Sequence, residues 1–191
     1  MAEKVKTGII HILGASGSGT TTLGQALEQQ YGFKWIDTDD IFWLPTDIPF
    51  TTYRPVEERV RLMLEAIEEN PKCVISGSLC GWGDIFIPRF DLVIYIYTAS
   101  DIRKERLISR EYKRHGERIR RGGDMHNTHI NFIEWAMAYD TTDINTRSAK
   151  MHDKWLKHLN CTVVKLNGAD TSEQHLSIIN EFFQKNLETK H

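Results

Sequence analysis

Short apolar runs alternate along the chain with longer stretches whose apolar residues recur at helical spacing. Five runs rich in β-branched and aromatic residues predict strands at 8–13, 33–36, 73–75, 92–97 and 161–166. Six further stretches predict helices at 21–30, 56–69, 101–114, 127–139, 146–158 and 172–183. The strands are apolar almost throughout, which burial on both faces of a sheet requires. The pattern therefore predicts a three-layer α/β fold, with a parallel sheet between two layers of helices.

Length and composition suit one domain over residues 1–191 with an ordinary hydrophobic core. The alternation breaks only between the fourth and fifth predicted strands, where we expect a lid insertion at about residues 110–126. The net charge of -2 argues against a general nucleic-acid-binding surface. The three cysteines lack metal-type spacing, residues 1–7 do not resemble a signal peptide, and no apolar run is long enough to span a bilayer. These features favour a cytoplasmic monomer or homodimer that has no membrane partner.

A glycine-rich segment lies between the first predicted strand and the first predicted helix. It consists of Gly14, Ala15, Ser16, Gly17, Ser18, Gly19, Thr20 and Thr21, with Thr22 opening the helix, and we call residues 14–21 the phosphate loop. Glycines let successive backbone N–H groups curve around a phosphate, and a helix N-terminus adds free donors and a positive dipole. The alternative is a glycine-rich turn that binds nothing.

The loop departs from the motif G-x-x-x-x-G-K-[ST] at one position, because Thr20 stands in place of the lysine. Thr21 matches the residue whose hydroxyl binds Mg²⁺. A threonine at position 20 offers only a neutral hydrogen bond, which is weaker than the charge-assisted bond of a lysine. Either another cation replaces the lysine, or the protein binds nucleotide with little or no phosphoryl transfer.

An acidic segment follows the second predicted strand, at the sheet edge where open α/β proteins bind ligands. Asp37 and Asp39 are two residues apart and would point the same way on a strand, toward the phosphate loop. One of them could support Mg²⁺ and the other could accept a proton from a substrate hydroxyl. The alternative is a helix N-terminus capped by Asp39 or Asp40, with Thr38 in solvent. Trp43 is interpreted as a packing residue.

Residues 103–121 contain nine of the 24 lysines and arginines of the chain. Arg103, Arg106, Arg110 and Arg114 have helical spacing that would place them on one face, while Arg118 and Arg121 follow a glycine. Guanidinium groups bind phosphate in bidentate fashion and stabilise charge on a transferred phosphoryl group, as a closing lid requires. The alternatives are a solvated helix whose arginines pair with glutamates, or an RNA-binding patch. Outside this segment, Arg147 could reach the phosphates from the opposite side.

These motifs together resemble the adenylate kinase and shikimate kinase group of small P-loop kinases, over nearly the whole chain. The loop also resembles that of bacterial adenylate-kinase-related proteins that carry G-x-S-G-S-G-T-T. The resemblance implies the P-loop NTPase fold, with five parallel strands in the order 2-3-1-4-5 and an arginine-rich lid. Asp37 and Asp39 match the metal and acceptor carboxylates of shikimate kinases. The lid and lid-helix arginines of adenylate kinases are matched by Arg110, Arg114, Arg118 and Arg147.

We therefore expect an ATP- and Mg²⁺-dependent phosphotransferase that acts on a small molecule, either a nucleoside monophosphate or a hydroxylated metabolite. The expected catalytic residues are Asp37, Asp39, Arg118 and Arg121, with Thr21 and Asp37 at the metal. The expected nucleotide-binding residues are the phosphate loop, Thr22, Arg110, Arg114 and Arg147. The alternative is a nucleotide-binding regulatory protein with little or no kinase turnover.

Overall fold

The computed structural model describes residues 8–144 and 146–188, and the side chains up to residue 185. The segment 1–7, where no signal peptide was expected, lies outside the described residues. The strands are β1 (Ile9–Gly14), β2 (Lys34–Asp37), β3 (Cys73–Ser76), β4 (Leu92–Tyr97) and β5 (Thr162–Asn167). The helices are α1 (Thr20–Tyr31), α2 (Thr38–Phe42), α3 (Val56–Glu69), α4 (Ser100–His115), α5 (His126–Met137), α6 (Ala149–Leu156) and α7 (Ser172–Glu188). Short 3₁₀ turns lie at Asp84–Arg89, Gly116–Ile119 and Ala138–Asp140.

The five strands form one parallel sheet in the order β2-β3-β1-β4-β5, which confirms the expected fold class and topology. The central strand β1 pairs with β3 on one side and β4 on the other, so it is buried along its whole length. A hydrophobic cluster covers each face of the sheet, as the apolar strand pattern predicts. The phosphate loop and Asp37 thus leave the sheet at its carboxyl edge, from β1 and β2, which are separated by β3.

Most predicted elements begin and end within one or two residues of the observed bounds, and the exceptions are α7, which continues to Glu188 instead of ending at residue 183, and α6. This helix spans Ala149–Leu156 instead of the predicted 146–158. Its start is fixed by Ser148, whose buried hydroxyl accepts a hydrogen bond from the backbone N–H of Met151. Among the described residues, no helix has both the length and the apolar content needed to cross a membrane.

The short helix α2 corrects the argument made for the acidic segment. Strand β2 ends at Asp37, so period-two alternation does not apply to Asp39. The helix is capped by Asp37, which accepts a hydrogen bond from the Asp39 backbone, and not by Asp39 or Asp40. The side chain of Thr38, expected in solvent in the alternative interpretation, is buried.

Helix α4 does not present its four arginines on a common face. The guanidinium of Arg103 is fully buried and donates to the carbonyls of Thr98 and Ala136 and to the carboxylate of Asp140. It therefore fastens α4 to the end of α5 and the following turn. The Arg103 side chain turns inward because these buried carbonyls need donors, which helical spacing does not show.

Candidate functional site

The phosphate loop has the geometry of an anion cradle. Gly17 and Gly19 both adopt positive φ, 81° and 103°, and Gly19 directly precedes α1. A side chain at Gly17 would press against the Arg103 carbonyl, so glycine lets α4 approach the loop closely. The first turn of α1 carries threonines and no acidic residue, so its backbone donors and dipole favour an anion. The Ser18 hydroxyl is buried without a hydrogen-bond partner among the described residues.

Two cavities flank the loop. The first, which we call the aspartate cavity, has a volume of about 380 Å³ and contains Asp37 and Asp39. The second, the arginine cavity, has a volume of about 430 Å³ and contains Arg106. Both volumes are in the range of small-molecule sites. The residues that line both cavities are Gly17, Thr20, Thr21, Arg110 and Arg114.

The remaining residues of the expected nucleotide site are distributed over the two sides of the loop. Ala15 and Ser16 face the aspartate cavity, while Ser18, Gly19 and Thr22 face the arginine cavity. Gly14 lines neither cavity, but its carbonyl accepts a hydrogen bond from Arg147. The loop therefore separates the cavities and exposes some of its residues to each.

The two residues expected to bind Mg²⁺, Thr21 and Asp37, lie within reach of each other. The Thr21 hydroxyl donates to Oδ2 of Asp37 over 3.5 Å, and Oδ1 accepts from the Asp39 backbone over 3.0 Å. Burial raises the pKa of Asp37 to about 6, and the charges of Asp39 and Asp40 act in the same direction. No cluster of three His, Cys, Asp or Glu side chains occurs in the described part of the chain. Mg²⁺ bound through one carboxylate, a hydroxyl and substrate phosphates needs no such cluster, so the residues fit it.

Arg110 and Arg114 reach both cavities and share one carboxylate. Buried Glu111 lies 3.0 Å from a guanidinium nitrogen of Arg110, 3.8 Å from Arg114 and 3.7 Å from His115. Glu111 thus fixes these side chains at the mouth of the cavities. The arginines thus pair with a glutamate, as the solvated-helix alternative expected, but Glu111 itself is buried.

Arg147 contacts the phosphate loop at its first residue. Its Nη2 donates to the carbonyl of Gly14 over 2.9 Å, and its Nε is enclosed without a hydrogen-bond partner among the described residues. The guanidinium carbon lies 5.9 Å from the ring of Trp135, and the side chain lines the aspartate cavity. Burial lowers the pKa of Arg147, and the charges of Asp39 and Asp37 oppose that effect. An arginine nevertheless keeps its charge at neutral pH.

Arg118 and Arg121, expected to be catalytic, line neither cavity. The exposed guanidinium of Arg118 makes a bidentate ion pair with Asp124, with a closest distance of 2.6 Å. Arg121 is exposed in the next turn. Arg118 lies within the 3₁₀ turn Gly116–Ile119 and Arg121 follows it, and this turn leaves both side chains outside the two cavities.

The aspartate cavity has an aromatic lining that the sequence pattern did not single out. Trp43, interpreted as a packing residue, lines the cavity together with Phe50, and their ring centroids are 6.0 Å apart. Phe132 and Trp135 of α5 form a second pair, 6.1 Å apart. Phe50 and Trp135 are more than two-fifths exposed, and Phe50 has a φ of 62°, in the left-handed region. The two pairs come from segments about 80 residues apart, so local periodicity carried no signal for them.

The arginine cavity is closed by the segment after β5. Nη2 of Arg106 donates to the Gly168 carbonyl over 2.8 Å, and Asp170 lies in the same lining. His175, which also lines this cavity, bonds through Nε2 to the carbonyl of Asn167. The guanidinium of Arg106 is therefore held by two backbone carbonyls, that of Gly168 and, over 3.5 Å, that of Gly17 in the phosphate loop.

The chain matches a family model described as an AAA domain (AAA_18) over residues 10–130. It is 37% identical over 177 residues to Uncharacterized protein YqaC of Bacillus subtilis (strain 168), a match that covers 93% of this chain and 98% of that protein. It is 29% identical over 115 residues to the cytidylate kinase of Archaeoglobus fulgidus, covering 54% of this chain and 62% of the kinase. This chain thus spans less than two thirds of that kinase.

Among solved structures, the chain is similar to a shikimate kinase from Bacteroides thetaiotaomicron. The TM-score is 0.53 and the identity 19%, over 92% of this chain and 99% of that chain. At this identity the similarity concerns the fold alone. It agrees with the strand order described above.

Proposed function

The chain belongs to the AAA domain family as a small P-loop kinase-like protein, and from that premise we propose that it transfers the γ-phosphoryl group of ATP to a small molecule. The observation that carries the proposal is the position of the phosphate loop between two cavities that share its residues. A phosphoryl group bound at Thr20 and Thr21 would be accessible from both sides. Transfer between two substrates requires such an arrangement, because their reacting oxygens must lie in line on either side of the phosphorus.

The arginine cavity is assigned to the nucleoside of ATP. Arg106 and Asp170 line it and offer a cation and hydrogen-bonding groups to a purine ring and its ribose. From there the phosphates would run along the loop and the first turn of α1. The backbone donors of this turn and the buried Ser18 hydroxyl would bind their oxygens.

The aspartate cavity is assigned to the phosphoryl acceptor. Its aromatic pairs, Trp43 with Phe50 and Phe132 with Trp135, offer flat apolar surfaces to a ring. When the acceptor group is a hydroxyl, its oxygen bonds to the γ-phosphorus as the bond to ADP breaks, and Asp39 accepts its proton. Nucleoside monophosphates and hydroxylated ring compounds are therefore the two acceptor classes to be tested.

Mg²⁺ would be held by the Thr21 hydroxyl and the Asp37 carboxylate, and its chemistry there is to neutralise phosphate charge. Arg110 and Arg114 reach both cavities and would contact the transferred group from the lid side. Glu111 keeps the two guanidinium groups in position before the nucleotide arrives.

The test measures ADP formation by the purified protein with ATP, Mg²⁺ and a panel of both acceptor classes. We expect turnover with at least one ring-bearing acceptor. Asp39→Asn should lower kcat/KM at least about hundredfold, because it removes a group that contacts the acceptor. Asp40→Asn is the matched control, since its exposed side chain lines neither cavity, and should change kcat/KM by less than about twofold.

The second candidate is a nucleotide-binding regulatory protein, and the observation that favours it is Thr20. ATP binding without turnover on any acceptor of the panel would support this candidate and contradict the kinase. If neither ATP nor ADP binds, both functions are wrong.

A further inference from the structure

We infer that Arg147 supplies the positive charge that Thr20 does not, so that the two positions act as one phosphate-binding unit. This inference rests on the proposed function, because it assigns a residue of the same site. Thr20 and Arg147 both line the aspartate cavity, although they are far apart in the sequence.

The first argument is the electrostatic environment of the Arg147 guanidinium. Its Nε is enclosed and has no hydrogen-bond partner among the described residues, and one terminal nitrogen donates to the Gly14 carbonyl. No carboxylate in the described ranges lies within 4.0 Å of it, although the charges of Asp37 and Asp39 act on it from the same cavity. A partly buried cation without an ion-pair partner in the described ranges is costly to the folded state. A phosphate oxygen at the loop would provide the missing partner.

The second argument is how firmly Arg147 is held. The neighbouring Ser148 is fully buried, donates to the Asp143 carbonyl and caps α6 through the Met151 backbone N–H. The backbone is therefore anchored at the residue that follows Arg147. A guanidinium fixed beside the loop before ligand binding loses little side-chain entropy when the phosphate arrives.

The third argument comes from the other arginines of the site. Arg110 and Arg114 are already paired with Glu111. Arg106 lines only the arginine cavity, and both of its terminal nitrogens donate to carbonyls, that of Gly168 over 2.8 Å and that of Gly17 over 3.5 Å. Arg118 is held by Asp124 outside both cavities. Arg147 lines the same cavity as Thr20, has no ion-pair partner in the described ranges, and has an Nε without a hydrogen-bond partner there, so its charge is available to a phosphate bound at the loop.

The two positions should therefore behave non-additively. Arg147→Met removes the cation but keeps an apolar side chain of similar length, so affinity for a triphosphate should fall by about ten- to hundredfold. Adding Thr20→Lys to that variant restores a cation at the loop and should recover at least tenfold of the loss. In the wild-type background the same Thr20→Lys change should gain about threefold or less, because Arg147 already supplies the charge and repels a second cation.

The experiment is calorimetric titration of all four proteins with ATP, inorganic tripolyphosphate and adenosine. Adenosine affinity should stay within about twofold throughout, because the assigned ring site is the arginine cavity. Lys150→Met is the matched control, since this exposed cation lies three residues away, and it should leave all three affinities unchanged. Equal gains from Thr20→Lys in both backgrounds would overturn the inference. An Arg147→Met protein that binds tripolyphosphate within about threefold of the wild type would do the same.

Thermal unfolding without ligand separates this role from a structural one. Because Arg147 carries a partly buried charge without an ion-pair partner in the described ranges, Arg147→Met should melt at or above the wild-type temperature and gain less on addition of tripolyphosphate. A variant that fails to fold or melts well below the wild type would show that the guanidinium supports the fold, and would contradict the inference. A wild-type protein that does not bind ATP would reject the proposed function itself. Turnover that survives in Arg147→Met would reject only the role of Arg147.

Discussion

Replacing Arg103 with methionine tests whether α4 is fastened to the rest of the molecule by one buried cation. The guanidinium donates over 3.0 Å to the Thr98 carbonyl and over 2.9 Å to that of Ala136. A third bond, of 2.5 Å, goes to the carboxylate of Asp140, whose side chain is one third exposed. Methionine fills much of the same space but donates to none of these groups.

The expected cost follows from what the substitution leaves behind. Two carbonyls lose their donor inside the protein, at about 1 to 3 kcal/mol for each unsatisfied group. The Asp140 carboxylate is partly exposed and can be hydrated after the substitution. The lost ion pair therefore contributes less to the destabilisation than a wholly buried pair, whose disruption costs about 3 to 5 kcal/mol. We therefore expect Arg103→Met to lower the free energy of unfolding by about 3 kcal/mol. For a chain of this size the melting temperature should fall by roughly 6 to 12 °C.

The assay is urea unfolding at pH 7 followed by circular dichroism, with Arg61→Met as the matched control. Arg61 also pairs with a carboxylate, that of Glu65 one helical turn away, but both side chains are more than half exposed. Its replacement should cost less than about 0.5 kcal/mol. If Arg103→Met is no more destabilising than Arg61→Met, Arg103 does not anchor α4, and the account of its inward orientation is wrong.

Asp37→Asn should stabilise the ligand-free protein at pH 7 by about 1 to 2 kcal/mol. Burial raises the pKa of Asp37 from 3.8 to about 6, so ionisation of this carboxyl destabilises the folded state increasingly as the pH rises from about 4 to about 6. The gain should disappear as the pH falls below about 4, and urea unfolding between pH 4 and 7 that shows no such convergence would contradict it. Gly77→Ala should destabilise the fold by about 2 kcal/mol or more, since Gly77 has a φ of 117° and an added Cβ would overlap a side chain of α2. Gly81→Ala, with a φ of 82° and open space around it, should cost only about 1 kcal/mol in the same unfolding assay, and equal losses would remove steric overlap as the cause. Trp135→Ala and Phe50→Ala should each raise the KM of the phosphoryl acceptor about tenfold, because both rings line the aspartate cavity, while the KM of ATP changes less than twofold. The measurement is steady-state kinetics, and equal effects on the KM of both substrates would reject the aromatic side chains as part of the acceptor site.

The fold could be predicted because its determinants are local in the sequence. Each strand is a short apolar run, and each long helix shows its own periodicity, so the alternation of elements was visible before the structure. The phosphate loop could be located for the same reason, as eight consecutive residues between a strand and a helix. The short helix α2 was only the alternative interpretation of the acidic segment, and a strand through Asp37 and Asp39 was preferred. The sequence could not separate the two, because Asp37 ends a strand and caps a helix at once.

The roles of the arginines could not be predicted from spacing. Helical periodicity grouped Arg103 with Arg110 and Arg114, yet Arg103 turns into the core toward carbonyls contributed by other segments. The expected catalytic side chain of Arg118 pairs instead with Asp124 and faces away from both cavities. The direction in which a long side chain leaves its helix depends on partners that lie elsewhere in the chain.

The sequence alone therefore determined the fold class, the strand order implied by the resemblance, and the position of the loop at the carboxyl edge of β1. Only the tertiary structure brought Arg147 to Gly14, joined the aromatic pairs of two distant segments in one cavity, and placed the loop between two cavities. The physical reason is the distance along the sequence over which each determinant acts. Backbone conformation follows largely from neighbouring residues, whereas the electrostatic surroundings of a side chain are set by whatever the packed chain brings near it.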